Sequence, residues 1–417
     1  MATTNPATGT NADADALYTV GGIRLARPFK VRRLGHFGVN VADPEVSRRF
    51  YERLLGLRIS DNLDFSPRFT PEELPQVGPV IGYFARHGTE HHSFVFFPRR
   101  ALAANYKFPN EFPEVTTNQI TWQVGSLREV VDGFDYFKAK GLRIHRSGRD
   151  LPGSNWNAYP FDPDGHVNEI FYGIEQVGWD GVSKPQAMHE VRYTAPPALP
   201  HRSEFSEVKE GLARGIKPAD GWRQDEPLEE RFDVGGVLLA RPFKIARVGP
   251  VRLFVKDVNV ALTFYRDALG LTVTEEVVWN GHRCVFLRAN TEHHSMALYP
   301  IALRAELGLH AGTTLMSFGF QLGDYAQLKG ALAFLKDEGT TIKHLPPELL
   351  PGIDYSAFAI DPDGHAIQLY CGMEQLGWDG KPRPASVRRK IDNNQWPETI
   401  DAQSDTFGGE AFLGPWN

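Results

Sequence analysis

Cysteine is nearly absent: two residues in 417, Cys284 and Cys371. That is too few for a disulfide framework, and both sit in apolar, strand-like surroundings, so a reducing, cytoplasmic setting is expected. No run of about 18 apolar residues occurs, so no membrane span is expected. Basic residues are not in excess either. The net charge is −6, whereas a nucleic-acid binder usually carries a basic stripe. The opening stretch MATTNPATGTNADADAL lacks the apolar core of a secretory signal and reads as a flexible tail over residues 1–18. With 41% hydrophobic and 23% charged residues the remainder has a globular composition.

What the chain does have is repetition. GGIRLARPFKVRRLG from Gly21 returns as GGVLLARPFKIARVG from Gly235, and FYERLLGL at Phe50 returns as FYRDALGL at Phe264. TEHHS recurs at Thr89 and Thr291, DPDGH at Asp162 and Asp361, and GWDG at Gly178 and Gly377. The ordered matches mark a duplication. A finer repeat lies within each half. A short apolar strand (37–41) leads to Asp43, a helix cap, with Pro44 at the first helical position. Val46, Phe50 and Leu54 follow on one expected apolar face, and Gly56 supplies a left-handed stop. The same pattern returns at 120–141, with Phe134 and Phe137 on the buried face, and again at 251–270 and 318–339.

The fold class read from this is α+β: tandem duplicated domains, each of two paired strand–helix–strands units forming an open cup. The expected divisions are a first domain at 19–181, a linker rich in proline and charge at 182–231 with one short helix, a second domain at 232–381 and an extension at 382–417. Trp396, Phe407, Phe412 and Trp416 suggest that the extension docks.

When such units pair, their strands offer side chains to a shared concave face. Aligning the first strands on their helices gives His36, Gln119, Pro250 and Ser317; aligning the last strands after DPDGH gives Glu169 and Gln368. The first half thus offers three lone-pair donors, His36, Gln119 and Glu169. The second lacks imidazole and carboxylate at these places. A lone histidine at a strand start is ordinarily a hydrogen-bonded structural residue, but a lone glutamate in NEIFYG is costly to bury unpaired. Together they point to a metal site in one half only. His92 is weaker evidence, because the HHS motif recurs in the second half. The DPDGH turns, with His166 and His365, and the GWDG segments read as structural and packing motifs.

LGHFGVNVADPEVSRRFYERLLGL, EHHSFVFF and NAYPFDPDGHVNEIFYG resemble the vicinal oxygen chelate superfamily, and within it the type I extradiol ring-cleaving dioxygenases. The likeness covers about residues 30–180 and 244–380. It implies paired βαβββ modules around Fe(II), or Mn(II) or another divalent ion. His36 and Glu169 then match metal ligands, His92 a neighbouring acid/base, and Tyr159 the tyrosine that hydrogen-bonds a substrate oxygen. Phe358 replaces that tyrosine in the second half, so the chain inverts the family's usual placement of the metal in the C-terminal domain. Gln119 stands where a second histidine is implied. The amide keeps the ligand charge but is a harder, weaker donor, tilting preference toward Mn or Mg and away from Fe(II); epimerases and glyoxalases of the superfamily use glutamine as a ligand. The leading expectation is extradiol cleavage of a catechol-like vicinal diol with O2, its partners being a small aromatic substrate and O2, without nucleic acid or membrane and with self-association left open. Two alternatives remain: glyoxalase- or epimerase-type proton transfer on an α-hydroxycarbonyl or thioester, and non-catalytic binding of a small molecule.

Overall fold

The computed structural model describes residues 17–149, 152–189, 193–224, 228–377 and 379–401. Each half opens on a hairpin, in the first half β1 (Tyr18–Val20) and β2 (Ile23–Leu25). There follow β3 (Arg33–Val41), β4 (Arg58–Asp64), β5 (Ile81–Arg86), β6 (Phe94–Pro98), β7 (Thr117–Gln123), β8 (Ile144–Arg149), β9 (Trp156–Pro160) and β10 (Asn168–Tyr172). These last eight strands form one curled sheet in the order β4-β5-β6-β3-β7-β10-β9-β8. The modules join where β3 meets β7 antiparallel, Gly38 facing Gln119, with a bulge between Leu34 and Phe37. Within the modules, β3 runs parallel to β6 and β7 to β10. Such parallel pairs need a crossover connection, which the helices supply.

The second half repeats this with the hairpin β11 (Phe232–Val234) and β12 (Val237–Leu239), then β13 (Ile245–Val255), β14 (Thr272–Trp279), β15 (His282–Arg288), β16 (Met296–Pro300), β17 (Leu315–Leu322), β18 (Ile342–Lys343), β19 (Ser356–Ile360) and β20 (Ala366–Tyr370). Its sheet order is β14-β15-β16-β13-β17-β20-β19-β18, strand for strand the same. The tandem α+β cup architecture is therefore what the duplication predicts.

The first crossover starts as expected and then departs. Asp43 caps it by accepting from the Glu45 and Val46 amides, with Pro44 at its first position. After one α-turn the helix widens to a π-helix over Arg49–Leu54. The wider turn shifts the phase, so Phe50, Tyr51 and Leu55 are buried while Val46 is 51% exposed. The expected Val46–Phe50–Leu54 stripe holds only at Phe50, with Leu54 partly buried. The second half repeats the widening at Thr263–Ala268 and leaves Val260 48% exposed. The helix Leu127–Ala139 is regular, capped by Ser126, with Phe137 fully buried and Phe134 partly so.

Alternation along β3 sends Phe37 to one face of the sheet and His36 to the other. Phe37 stacks on Phe318 of β17 at 4.1 Å, placing it in a core that spans both halves. The repeated motifs build this seam. Asp162 of the first DPDGH turn accepts from the Tyr265 hydroxyl at 2.8 Å, while His166 Nε2 meets Thr314 at 2.9 Å. In mirror image, Asp361 accepts from Tyr51 at 2.7 Å and His365 Nε2 meets Thr116 at 2.9 Å. The Thr116 hydroxyl also lies 2.6 Å from that of Thr313, the neighbour of Thr314. Likewise Arg241 of the second LARPFK motif donates to the Arg53 carbonyl at 3.1 Å, capping the π-helix of the other half. GWDG forms a tight turn in the first half. Gly181 N bonds Gly178 O, Asp180 accepts from Val182 N, and Trp179 is 77% exposed. Trp378 of the second copy lies outside the described residues.

Residues 182–189 and 193–224 lie along the first half, with a helix at Glu204–Ala213. Arg149 N bonds the Tyr193 carbonyl, and the buried Arg149 guanidinium pairs with Glu207 at 2.7 Å. At the other end, Trp396 packs against Tyr325 and Tyr355; Phe407, Phe412 and Trp416 lie outside the described residues. Among the described residues no helix is long and apolar enough to cross a membrane.

Candidate metal centre

The inner face of the first cup brings His36 and Glu169 together. His36 comes from β3 and Glu169 from β10, and β7 lies between them, with Thr121 opposite Glu169 in register. Both side chains are fully buried, and His36 Nε2 approaches Glu169 Oε2 to 3.2 Å. The contact is near but misaligned: His36 Nδ1, His36 Nε2 and Glu169 Oε2 all lack a hydrogen-bond partner. Three unpaired polar atoms on two adjacent buried side chains are expensive in a closed core. Converging lone pairs of an imidazole and a carboxylate are what a divalent cation takes.

Gln119 is two residues from Thr121 along β7, hence on the same face of the strand, and lines a cavity of about 100 Å3 beside the pair. His92 and Tyr159 line it too, with Phe65, Phe84 and Phe97 supplying apolar wall. Among the described residues no three His, Cys, Asp or Glu side chains converge at metal-ligand spacing. Gln119 is an amide on the cavity wall, on the face of β7 that carries Thr121. The donor set fits a divalent ion of moderate hardness.

His92 sits ring to ring with His36, the centroids 4.4 Å apart. Burial, then the nearness of His36 and His91, holds its pKa well below the usual imidazole range, so it is neutral. Its Nδ1 lies 3.0 Å from His91 Nδ1, and His91 Nε2 lies 3.5 Å from Asp61. Tyr159 is 2% exposed, and the Arg146 guanidinium lies 4.3 Å over its ring. All five residues singled out in the sequence therefore lie at one cup, His36 and Glu169 in contact and His92, Gln119 and Tyr159 on the adjoining cavity wall.

Three further residues were not singled out. Thr121 Oγ1 accepts from His36 N and donates to His36 O, both at 2.7 Å, fixing that strand position. Asn155 donates to Glu169 Oε1 at 2.5 Å, which leaves Oε2 facing His36. The neighbouring Ser154 adopts φ +58°, rare for a non-glycine residue, and its hydroxyl accepts from Lys184 at 2.8 Å. The polar run Ser154-Asn155 between a glycine and a strand is the only sequence signal for this device.

The third residue, Arg252, lies in the second cup. It faces Ser317 across β13 and β17, the place that Gly38 holds opposite Gln119. Fully buried, it donates to Gln368 Oε1 at 2.5 Å and to Ser317 at 3.4 Å, and its Nη2 lies 2.9 Å from His294 Nε2. These are the counterparts of Glu169, Gln119 and His92. A guanidinium from the chain itself thus occupies the middle of the second polar set. Phe254, Phe286, Tyr299 and Phe358 fill the space above it. An arginine in the apolar run VRLFV is the signal that could have revealed it.

Known proteins agree with this architecture. Solved structures that resemble the chain include a Mn(II)-bound glyoxalase from Novosphingobium aromaticivorans, with TM-score 0.52 and 14% identity over 84% of this chain and 85% of that one. A catechol 2,3-dioxygenase matches with TM-score 0.50 and 16% identity over 90% and 96% of the two chains. Homoprotocatechuate 2,3-dioxygenase from Brevibacterium fuscum, in complex with 3,4-dihydroxyphenylacetate, matches with TM-score 0.52 and 15% identity over 84% and 83%. At such identities the likeness is one of fold. No curated protein matches the chain. The family model of the Glyoxalase/Bleomycin resistance protein/Dioxygenase superfamily matches residues 33–170 and again 247–369, and the chain belongs to that superfamily.

Proposed function

We propose that the first cup is a divalent-metal centre that cleaves the ring of a catechol-like vicinal diol with O2. The observation that carries the reading is the buried His36–Glu169 pair, with its unpaired Nδ1, Nε2 and Oε2 atoms, beside a partly apolar cavity. His36, Glu169 and Gln119 would hold the ion, Fe(II) or, given the harder amide, Mn(II). Such an ion supplies Lewis acidity toward two vicinal oxygens and redox chemistry toward O2.

The chain's own groups do the rest. Phe65, Phe84 and Phe97 flank a flat ring and exclude water. Neutral His92, with Nδ1 turned to His91, has Nε2 left to accept a hydroxyl proton from the diol and return it later. Tyr159 donates from its hydroxyl to a substrate oxygen as negative charge gathers there. Asn155 holds Glu169 in one orientation throughout.

Gln119 favours a second reading, in which the same centre polarises an α-hydroxycarbonyl and His92 shuttles a proton without O2. Anaerobic purification, metal analysis and an oxygen electrode with a panel of catechols separate the two. Oxygen uptake that depends on a diol and is lost in His36→Ala and Glu169→Gln supports ring cleavage. Proton exchange into an α-hydroxycarbonyl without oxygen uptake supports the second reading. Gln119→His should raise Fe(II) affinity. If it does not, while His36→Ala abolishes binding, the third ligand is another group. The two cysteines are unpaired and at least partly buried, in keeping with a cytoplasmic place of work.

A further inference from the structure

The HHS motif builds a buried pair of histidines in each half, and in the second half every proton of the pair can be placed. Arg252 has only N–H groups to give, so His294 Nε2, 2.9 Å from its Nη2, is the acceptor. A ring that accepts at one nitrogen is neutral and carries its single proton on the other, here Nδ1. His293 Nδ1, 3.0 Å away, must then accept in turn. That leaves the His293 proton on Nε2, which donates to Glu275 at 3.1 Å. The hydrogen bonds run in one direction, from Arg252 through His294 and His293 to the carboxylate.

The first half has the same pair with different ends. His92 Nδ1 lies 3.0 Å from His91 Nδ1. Asp61 faces Phe84 across β4 and β5 as Glu275 faces Phe286 across β14 and β15, so the two carboxylates hold equivalent places. Aspartate is one methylene shorter, and its Oδ2 stops 3.5 Å from His91 Nε2, which has no hydrogen-bond partner. A carboxylate at that distance still favours an N–H over a lone pair. A glycine closes against each pair: a side chain at Gly153 would come within 2.9 Å of His92, and one at Gly352 within 2.3 Å of His293. At the far end the arginine is missing, because Gly38 holds its place, and His92 lines the open cavity instead.

We propose that Asp61 and His91 are positioning residues that hold His92 as its Nδ1–H tautomer, so that its Nε2 lone pair takes from a ligand the hydrogen bond that His294 takes from Arg252. The opposite tautomer would turn an N–H into the cavity, able to give a proton but not to take one. It would also set the His91 Nε2 lone pair against the Asp61 carboxylate. The inference deepens the reading of His92 as a base and rests on it, yet its test needs no turnover.

The test is 15N NMR of the full-length chain labelled in its histidines, at about pH 8, above the ordinary imidazole pKa of about 6.5. It is run with and without Mg(II). A ring nitrogen that bears a proton and one with a bare lone pair differ widely in 15N shift, and the His92 signals are identified by their loss in His92→Gln. In the native chain the Nδ1–H form of His92 should be favoured at least about tenfold, well within the reach of a unit charge at this distance. Asp61→Glu, which gives this half the carboxylate of the other, should keep that preference. Asp61→Ala should cut it to about threefold or less, and so should His91→Leu, which leaves Nδ1 without its acceptor; circular dichroism confirms the fold. A native His92 with its proton on Nε2 overturns the proposal, as does a tautomer that stays fixed in either of these two variants. The expected tautomer in a chain that cleaves no diol would sink ring cleavage and leave this inference standing. Diol cleavage by a chain whose His92 carries its proton on Nε2 would do the reverse.

Discussion

Removing the Asn155 side chain should weaken metal binding by a calculable amount. Asn155 and Glu169 are both buried, and the amide donates to Glu169 Oε1 at 2.5 Å. With Oε1 tied, the lone pairs of Oε2 face His36 Nε2, 3.2 Å away. A hydrogen bond to a charged group is worth about 1.5–3 kcal/mol, and each 1.4 kcal/mol is about tenfold in affinity. Asn155→Ala should therefore raise the Kd for Mn(II) roughly 10- to 100-fold, the range found when an outer partner of a metal ligand is lost. Calorimetric titration of chelator-treated protein with Mn(II) measures it, with circular dichroism to confirm an intact fold. Asn155→Asp keeps the shape but sets a second carboxylate against the first. Like charges in one buried site raise a carboxyl pKa, so its affinity should rise more steeply with pH than that of the native chain. A Kd for Asn155→Ala within twofold of native, in a folded protein, would show that Glu169 is not held for a metal, and the argument would fail.

Tyr51→Phe removes a hydroxyl that donates to the buried Asp361 across the seam; a loss of about 1.5–3 kcal/mol is expected in urea unfolding, and a change below about 0.5 would show that the seam does not depend on it. Stability should also be bounded by pH on both sides. Burial raises the Asp361 carboxyl, but His365, through charge and hydrogen bond, and Tyr51 outweigh it and hold the pKa below the usual carboxylate range. Burial likewise lowers His365, and Asp361 outweighs it, so that pKa is raised. The carboxylate's contribution is present above about pH 4 and lost as pH falls through its depressed pKa; the imidazolium's is present below about pH 6.5 and lost as pH rises through its raised pKa. The urea midpoint should thus decline at both ends, and His365→Asn should flatten the alkaline decline; an unchanged alkaline limb would refute the assignment. Finally, Mn(II) should bind at one equivalent per chain, since Arg252 holds the second cup; two equivalents would contradict that reading.

Much of this was legible in the sequence because it is written in local, repeated signals. Asp43, Pro44 and Gly56 announce a helix and its end, and the two DPDGH turns fix the register of the last strands, from which Glu169 follows. His36 and Glu169 could be paired because a duplicated chain supplies its own comparison, with Pro250 and Gln368 at the same places. The burial of Val46 was misread because a π-turn leaves no clear mark on apolar spacing; only the packing of Tyr51 across the seam shows the changed phase. Asn155 and Thr121 escaped for another reason. Their roles lie in one hydrogen bond to a residue far along the chain, and such a partner is set by tertiary folding. The same holds for Tyr51–Asp361 and Tyr265–Asp162, where the repeated motifs were visible but not that each half's motif serves the other half.

Arg252 explains why two cups of one design need not share a function. In both, three central strands bring polar side chains to the middle of a buried face, and groups placed there cannot turn to water. Their lone pairs must meet a positive charge or a donor, or the cup carries the full cost of leaving them bare. The second cup meets the demand from within: one guanidinium serves Gln368, Ser317 and His294, and apolar side chains close over it. The first has glycine where that arginine stands, at Gly38, and keeps an imidazole and a carboxylate with three atoms unserved. The deficit can be met from solution, and a divalent cation is what imidazole and carboxylate together select. On this reasoning Gly38 is as much a part of the proposed metal centre as His36, because a long basic side chain in its place would supply the charge that a bound cation would otherwise bring.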